Sequence, residues 1–176
     1  DLFAQKVDSP QLQQNLDRHT GPYMQDHKRL WDQDEAVGHA VRAGYFYSGA
    51  TDVAALTGET AYDEALDKIW KNIVHQKIYL TGGIGAEPQH EGFGPNYELP
   101  NASAYTETCA AIALMLWNHR MFLKTGDSKY MDVFERTLYN GFLAGVSFEG
   151  NTFFYPNPLE ADGVTKFNQG VCGRSP

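Results

Sequence analysis

Glu107-Thr108-Cys109 sets a carboxylate and a thiol two residues apart near the start of a helical pattern. Both groups, once deprotonated, are zinc ligands. Residues two apart do not face the same way on a regular helix, so one ion reaches both only from between their directions or from a loosened first turn. Two ligands are also too few, and Cys172 is the only other cysteine. Packing of a buried Cys109 beside Ala110, Ala111 and Ile112 is the plainer alternative. Glu91 offers a different chemistry. It lies in a glycine-rich stretch, next to His90 and just before Phe93. A carboxylate shielded by aromatic groups keeps a raised pKa and can act as a general acid. A solvated loop glutamate is the alternative, and Glu98 in the same stretch has similar standing. His39 sits among small residues, where a satisfied core histidine is the ordinary reading; His27 is a weaker candidate. His75 and His119 come late in helical patterns, where a cation suits the helix dipole. Tyr155 can donate a hydrogen bond to a ligand hydroxyl or simply pack.

Helices must position these groups. A first helical pattern runs from about Asp34 to Leu56, rich in small residues that admit a close neighbour. A second runs from Ala61 to about His75, with apolar residues recurring at three and four and Thr60 as its cap. Thr57-Gly58-Glu59-Thr60 joins them, with a glycine at the helix exit. The same plan returns 68 residues later: a helix from about Ala104 to Lys124, the turn Thr125-Gly126-Asp127-Ser128, and a helix from Lys129 to about Leu143. Short connections favour antiparallel hairpins. Continued, such hairpins build an open solenoid or a closed ring of inner and outer helices. His39 and Glu107 occupy equivalent places in the repeat, each in the first helix of its hairpin. Between the hairpins, Lys77 to Asn101 reads as a long loop, a length that is often functional. Asn151 to Tyr155 reads as a short strand, and residues 1 to 30 as weakly helical at best.

Composition narrows the function. The chain has 176 residues, of which 42% are hydrophobic and 20% charged, as in a folded domain. Lys plus Arg is 14 against 22 Asp plus Glu, a net charge of -8 that suits nucleic-acid phosphates poorly. No apolar run has the length of a membrane span. With no signal-peptide pattern either, a cytoplasmic or periplasmic location is expected. Tyr79 to Gly85 lacks the Gly-Lys-Ser/Thr end of a nucleotide loop. The aromatic content, Tyr 10, Phe 10 and Trp 3, is enough to line a sugar cleft as well as a core.

Several motifs in one order resemble a known group. Glu35-Ala36-Val37-Gly38-His39-Ala40-Val41-Arg42-Ala43 is similar to the inner-helix motif of the beta-L-arabinofuranosidase family of glycoside hydrolases. Tyr79-Leu80-Thr81-Gly82-Gly83-Ile84-Gly85, Tyr97-Glu98-Leu99-Pro100-Asn101 and Ala104-Tyr105-Thr106-Glu107-Thr108-Cys109-Ala110 follow the family pattern. So do Leu138-Tyr139-Asn140-Gly141 and Phe154-Tyr155-Pro156-Asn157-Pro158-Leu159.

The resemblance implies an all-alpha fold: part of an (alpha/alpha)6 barrel, with a few short strands in loops. In this reading the whole chain is a fragment of that barrel domain, with hairpins at 34–76 and 104–143. The remaining hairpins and the family's beta-sandwich domains would be absent. The implied activity is retaining hydrolysis of terminal L-arabinofuranose from plant glycans or glycoproteins. The resemblance assigns the acid/base to Glu91, zinc ligands to Glu107 and Cys109, and sugar contacts to His39 and Tyr155. It implies a zinc-bound cysteine nucleophile from an adjacent Cys-Cys pair, which this chain lacks; Cys172-Gly173 resembles the stretch just before it. The expected result is a chain with the acid/base, half the zinc ligands and part of the sugar pocket. It would bind zinc weakly or not at all and be inactive alone, with a carbohydrate as the partner of the longer protein and an oligomer possible. An unsaturated uronyl hydrolase, using carboxylates without zinc, and a non-catalytic helical-repeat module are the rival classes.

Overall fold

A computed structural model describes residues 20–164 of the chain. Four helices dominate it: α1 (Ala40–Thr57), α2 (Thr60–Asn72), α3 (Thr108–Thr125) and α4 (Lys129–Arg136). A π-helical turn, Ile73–Lys77, continues α2, and another, Thr137–Phe142, continues α4. Short 3-10 turns occur at Gly21–Met24, Leu30–Asp32 and Leu143–Gly145. The fold of the described residues is all-alpha.

The two inner helices, α1 and α3, begin and end 68 residues apart in register. Both are built for close approach. α1 buries Ala40, Ala43, Gly44, Tyr47, Thr51 and Ala54 along one face. α3 answers with Ala110, Ala113, Leu114, Trp117 and Met121. Spacings of three and four put each set on one stripe. Where the stripes meet, Gly44 lies against Ala113, so close that a Cβ on Gly44 would stand 2.7 Å from the Ala113 Cβ. The polar groups in this seam are satisfied. The Trp117 indole donates to Thr51 Oγ1 at 3.0 Å, and that hydroxyl donates to the Tyr47 carbonyl at 2.8 Å. Trp70 of α2 donates to the buried Asn118 amide oxygen at 2.8 Å, tying an outer helix to an inner one. Buried Tyr and Trp need such partners.

Gly58 and Gly126 close α1 and α3 in left-handed geometry, with φ of 71° and 72°. Their N–H groups return to Ala54 and Phe122. The connection Gly58–Glu59 is so short that α2 must run back along α1.

Several sequence expectations need correction. The first helix starts at Ala40 and the third at Thr108, later than Asp34 and Ala104. Gly38 (φ 72°) and Thr106 (φ 35°) leave the helical region just before each start. His39 and Glu107 therefore cap their helices from outside rather than sitting within them. Thr60 is the first helical residue, and Glu59 holds the cap position. Ser128 holds the cap position of α4, and the Asp127 carboxylate before it accepts the Lys129 N–H at 3.0 Å. The expected strand at 151–155 is only an isolated bridge between Val146 and Phe153. Among the described residues the only other bridges are His39–Gly92 and Glu87–Gly92. The connection from 77 to 101 is not structureless: Tyr79 and Gly83 close a turn, and the Tyr97 N–H bonds the Gln76 carbonyl at 2.8 Å.

The seam between α1 and α3 yields a test. Gly44→Ala gains helix propensity but drives a methyl group into Ala113, so a net destabilisation of about 1–2 kcal/mol is expected. Gly49, in the same helix with nothing within 4 Å of its Cβ position, should instead stabilise on change to Ala by about 0.5–1 kcal/mol. Urea denaturation followed by circular dichroism separates the two; stabilisation by both substitutions would contradict the close approach.

Candidate active site

A helix leaves its first N–H groups without partners inside the helix. At α1 those donors are met by His39 and Glu91. The Ala40 N–H bonds the Glu91 carbonyl at 3.0 Å, and the Arg42 N–H points at His39 Nδ1 at 3.5 Å. Two residues 52 apart in sequence thus meet at one helix end, where His39 Nε2 lies 3.0 Å from Glu91 Oε2. Because Nδ1 accepts, the ring proton belongs on Nε2, which donates to the carboxylate. Burial lowers the His39 pKa, and Arg42 adds to this, while Glu91 works against both. His39 is therefore a neutral donor near pH 7. Tyr23 meets its ring edge to face at 5.2 Å, and Arg42 stacks over Tyr23 at 4.4 Å.

Close backbone packing fixes the pair. Gly38 takes a left-handed conformation against Pro22, and a Cβ there would collide with the Pro22 carbonyl. Gly92 lies directly on the Gly38 carbonyl, which leaves no room for a side chain on Gly92. The Phe93 N–H then bonds the Gly38 carbonyl at 2.9 Å. Glu91 itself has φ of 51°, a conformation a side-chain-bearing residue adopts at a cost.

The start of α3 repeats the device. The Thr108 N–H bonds the Tyr155 carbonyl at 3.0 Å, as the Ala40 N–H bonds that of Glu91. Thr108 also donates its hydroxyl to the Phe154 carbonyl. Glu107 occupies the cap, as His39 does on α1, but its side chain accepts no bond from the helix. It is 2% exposed, and its Oε2 has no hydrogen-bond partner among the described residues. Burial, helped by the negative charge of Glu91, pushes its pKa up to about 7. Tyr105 stands beside the group, its ring 6.3 Å from that of Tyr155. Burial raises the Tyr105 pKa most, and Glu91, Glu107, Tyr155 and Cys109 all raise it further. These shared influences place Glu91, Glu107, Cys109, Tyr105 and Tyr155 in one neighbourhood.

The arrangement combines a hydrogen-bonded glutamate, a neutral imidazole donor and a second, buried carboxyl whose Oε2 lacks a partner among the described residues. An orphaned buried carboxylate oxygen is costly unless something positive meets it. The donor set fits a metal ion held through Glu107, with Cys109 two residues on as a sulfur ligand. Among the described residues no group of three or more His, Cys, Asp or Glu is placed to hold a metal. Cys172 lies outside the described residues.

His90, beside Glu91 in sequence, is exposed; the histidine that meets Glu91 is His39. Phe93 is buried in the core rather than shielding the carboxylate from solvent, and the Glu91 side chain is 37% exposed. His90 and Glu98 line a cavity of about 360 Å³ with Glu87, Gln89 and Ser103, and Glu91 is not among its walls. Glu98 acts on Tyr79, whose pKa rises to about 12, chiefly through burial. His27, His75 and His119 are not drawn into the group. Sequence reading missed Tyr105 and Tyr23. No spacing rule marks either one, because both act through loops folded onto helix ends.

The family model described as beta-L-arabinofuranosidase, GH127 catalytic domain, matches residues 4–174. A non-reducing end beta-L-arabinofuranosidase from Bifidobacterium longum subsp. longum is 39% identical over 138 residues, which are 78% of this chain and 21% of that protein. A solved GH127 beta-arabinofuranosidase is 64% identical with a TM-score of 0.77, covering 78% of this chain and 22% of that one. A crystal structure of a GH127 beta-L-arabinofuranosidase from Geobacillus stearothermophilus T6 is 39% identical with a TM-score of 0.77, covering 90% and 27%. The chain thus spans about a fifth to a quarter of these relatives. With the family model matching nearly all of its residues and the solved relatives sharing its fold, the chain belongs to the GH127 beta-L-arabinofuranosidase catalytic-domain family.

Proposed function

We propose that this chain supplies the acid/base, part of the sugar pocket and two zinc ligands of a retaining glycoside hydrolase that releases terminal L-arabinofuranose. The hairpins would be consecutive segments of an (alpha/alpha)6 barrel in a protein of the relatives' length. The observation that carries the reading is the pairing of Glu91 with His39 beside a buried Glu107 whose Oε2 has no partner among the described residues. Family membership supports it.

In the substrate complex Glu91 would pass a proton to the glycosidic oxygen as the sugar leaves. His39 Nε2–H already points at Glu91 Oε2. The same hydrogen bond would steady the carboxylate that forms and leave Oε1 for the leaving group. In the second half-reaction that carboxylate would draw a proton from water. Tyr105, kept a neutral phenol by burial, and Tyr155 would offer donors to sugar hydroxyls. Glu107 and Cys109 would hold a zinc ion, which keeps a thiolate deprotonated at neutral pH. The nucleophilic thiolate itself would come from a cysteine beyond this chain.

In a protein of the relatives' length, Glu91→Gln should cut turnover of an arabinofuranoside by about 10²–10⁴-fold and leave zinc content unchanged. Cys109→Ser should lower zinc content and turnover together; the opposite pattern would exchange the roles of the two sites. Elemental analysis and initial rates decide between them. The 176-residue chain alone should lose zinc on gel filtration, since it presents two ligands at the site.

Glu107 makes a further test possible without activity. Between its ordinary 4.5 and about 7, the folded, metal-free chain holds a proton that the unfolded chain has released. Stability should therefore fall as pH rises through that window. Glu107→Gln cannot ionise. It should gain on the native chain across the window, by no more than about 1.4 kcal/mol per pH unit. Urea denaturation at several pH values, with chelator present, checks this; parallel curves for the two chains would contradict it.

A further inference from the structure

We propose that Lys77 and Asn72, at the end of the outer helix α2, are positioning residues that hold the arms carrying His39 and Glu91 in register. The inference rests on the reading of that pair as the acid/base and its partner. Lys77 is a lysine buried to 4% exposure. Its ammonium donates to Glu35 Oε1 and to the Ala36 carbonyl, both at 2.7 Å. It also lies 5.9 Å from the centre of the Phe93 ring. Ala36 leads directly into Gly38 and His39, and Phe93 follows Glu91 by two residues. The ammonium thus sits against both arms. Asn72 completes the grip: its Oδ1 accepts the Ala36 N–H at 3.0 Å, and its Nδ2 donates to Asn96 Oδ1 at 3.0 Å and to Gln76 Oε1 at 3.3 Å. Both polar groups of the Ala36 backbone are held by side chains of the outer helix.

An apolar residue would fill the Lys77 site at less cost. Taking a charge out of water is expensive, and replacing a buried ion pair by apolar groups is often neutral or stabilising. What the ammonium adds is direction. It fixes one carbonyl and one carboxylate at set points; the links that follow in the chain are the Val37 carbonyl, which accepts from Gln25 Nε2 at 2.8 Å, and the Gly38 carbonyl that receives Phe93. A displaced Ala36 would carry Gly38 with it, and the bond between His39 and Glu91 would open.

Ring nitrogen NMR of histidine-labelled full chain reads this directly. The charged groups facing His39 are Glu91 and Arg42, with Tyr23 at its edge. In the native chain His39 should show one fixed tautomer, protonated at Nε2, with a slowly exchanging ring proton. Lys77→Met should give averaged ring nitrogens and proton exchange faster by at least about tenfold, while the helical circular dichroism is retained. A folded Lys77→Met chain with the native His39 signature would overturn the proposal. Should that variant not fold, Asn72→Ala decides by the same signature, with an unchanged spectrum again overturning it. If instead the hydrolase reading fails, a protein of the relatives' length would show no turnover while the ring signature responds as described.

Discussion

Unpaired N–H groups at the start of a helix demand acceptors, and here the acceptors are the site. The backbone carbonyl of Glu91 closes one inner helix and that of Tyr155 closes the other. His39 and Glu107 fill the two equivalent cap positions. Hence the bonds that end the helices also set the distances between the reactive groups. The rest of the structure serves this constraint. The seam of small residues lets α1 and α3 lie side by side, so that their first turns are neighbours. The outer helices hold the returning loops against those turns.

Electrostatics gives the two ends different characters. At α1 a neutral imidazole donates to a half-exposed carboxylate, a pairing complete in itself. At α3 one oxygen of a buried carboxyl has no hydrogen-bond partner among the described residues, and the charge that acts on it is that of another glutamate. The helix N-terminus favours negative charge there, but only modestly and only within the first turn. The α3 end is thus unfinished in a way that the α1 end is not. One scaffold position carries an imidazole in the first hairpin and a carboxyl in the second.

Much of this was legible in the sequence. The 68-residue spacing, the glycines that end α1 and α3, and the apolar stripes of the outer helices all follow from local rules. The helix starts were not legible. They depend on Gly38 and Thr106 taking conformations imposed by Pro22 and Gly85, residues far away in the chain. The partner of Glu91 was equally hidden. His90 was adjacent in sequence, yet the stacking of Gly92 on Gly38 turns the loop so that His39 makes the bond. Tyr105 and Lys77 carried no spacing signal, because their roles arise where two loops cross. Motif resemblance singled out residues that the fold brings into one neighbourhood, whereas periodicity pointed to the helices.

The side-chain contacts beside both helix starts span long stretches of chain: 52 residues separate His39 from Glu91, and 46 separate Thr108 from Phe154. Tying off such loops costs chain entropy that the helices themselves do not incur. The loops also share the core of the bundle: Ala36, Ile84 and Phe93 are buried among the helix residues. Releasing the arm that carries Glu91 would therefore expose apolar surface as well as break hydrogen bonds. The chain entropy of the long loop is offset by core packing, and the reactive cluster and the helical scaffold share one cooperative unit.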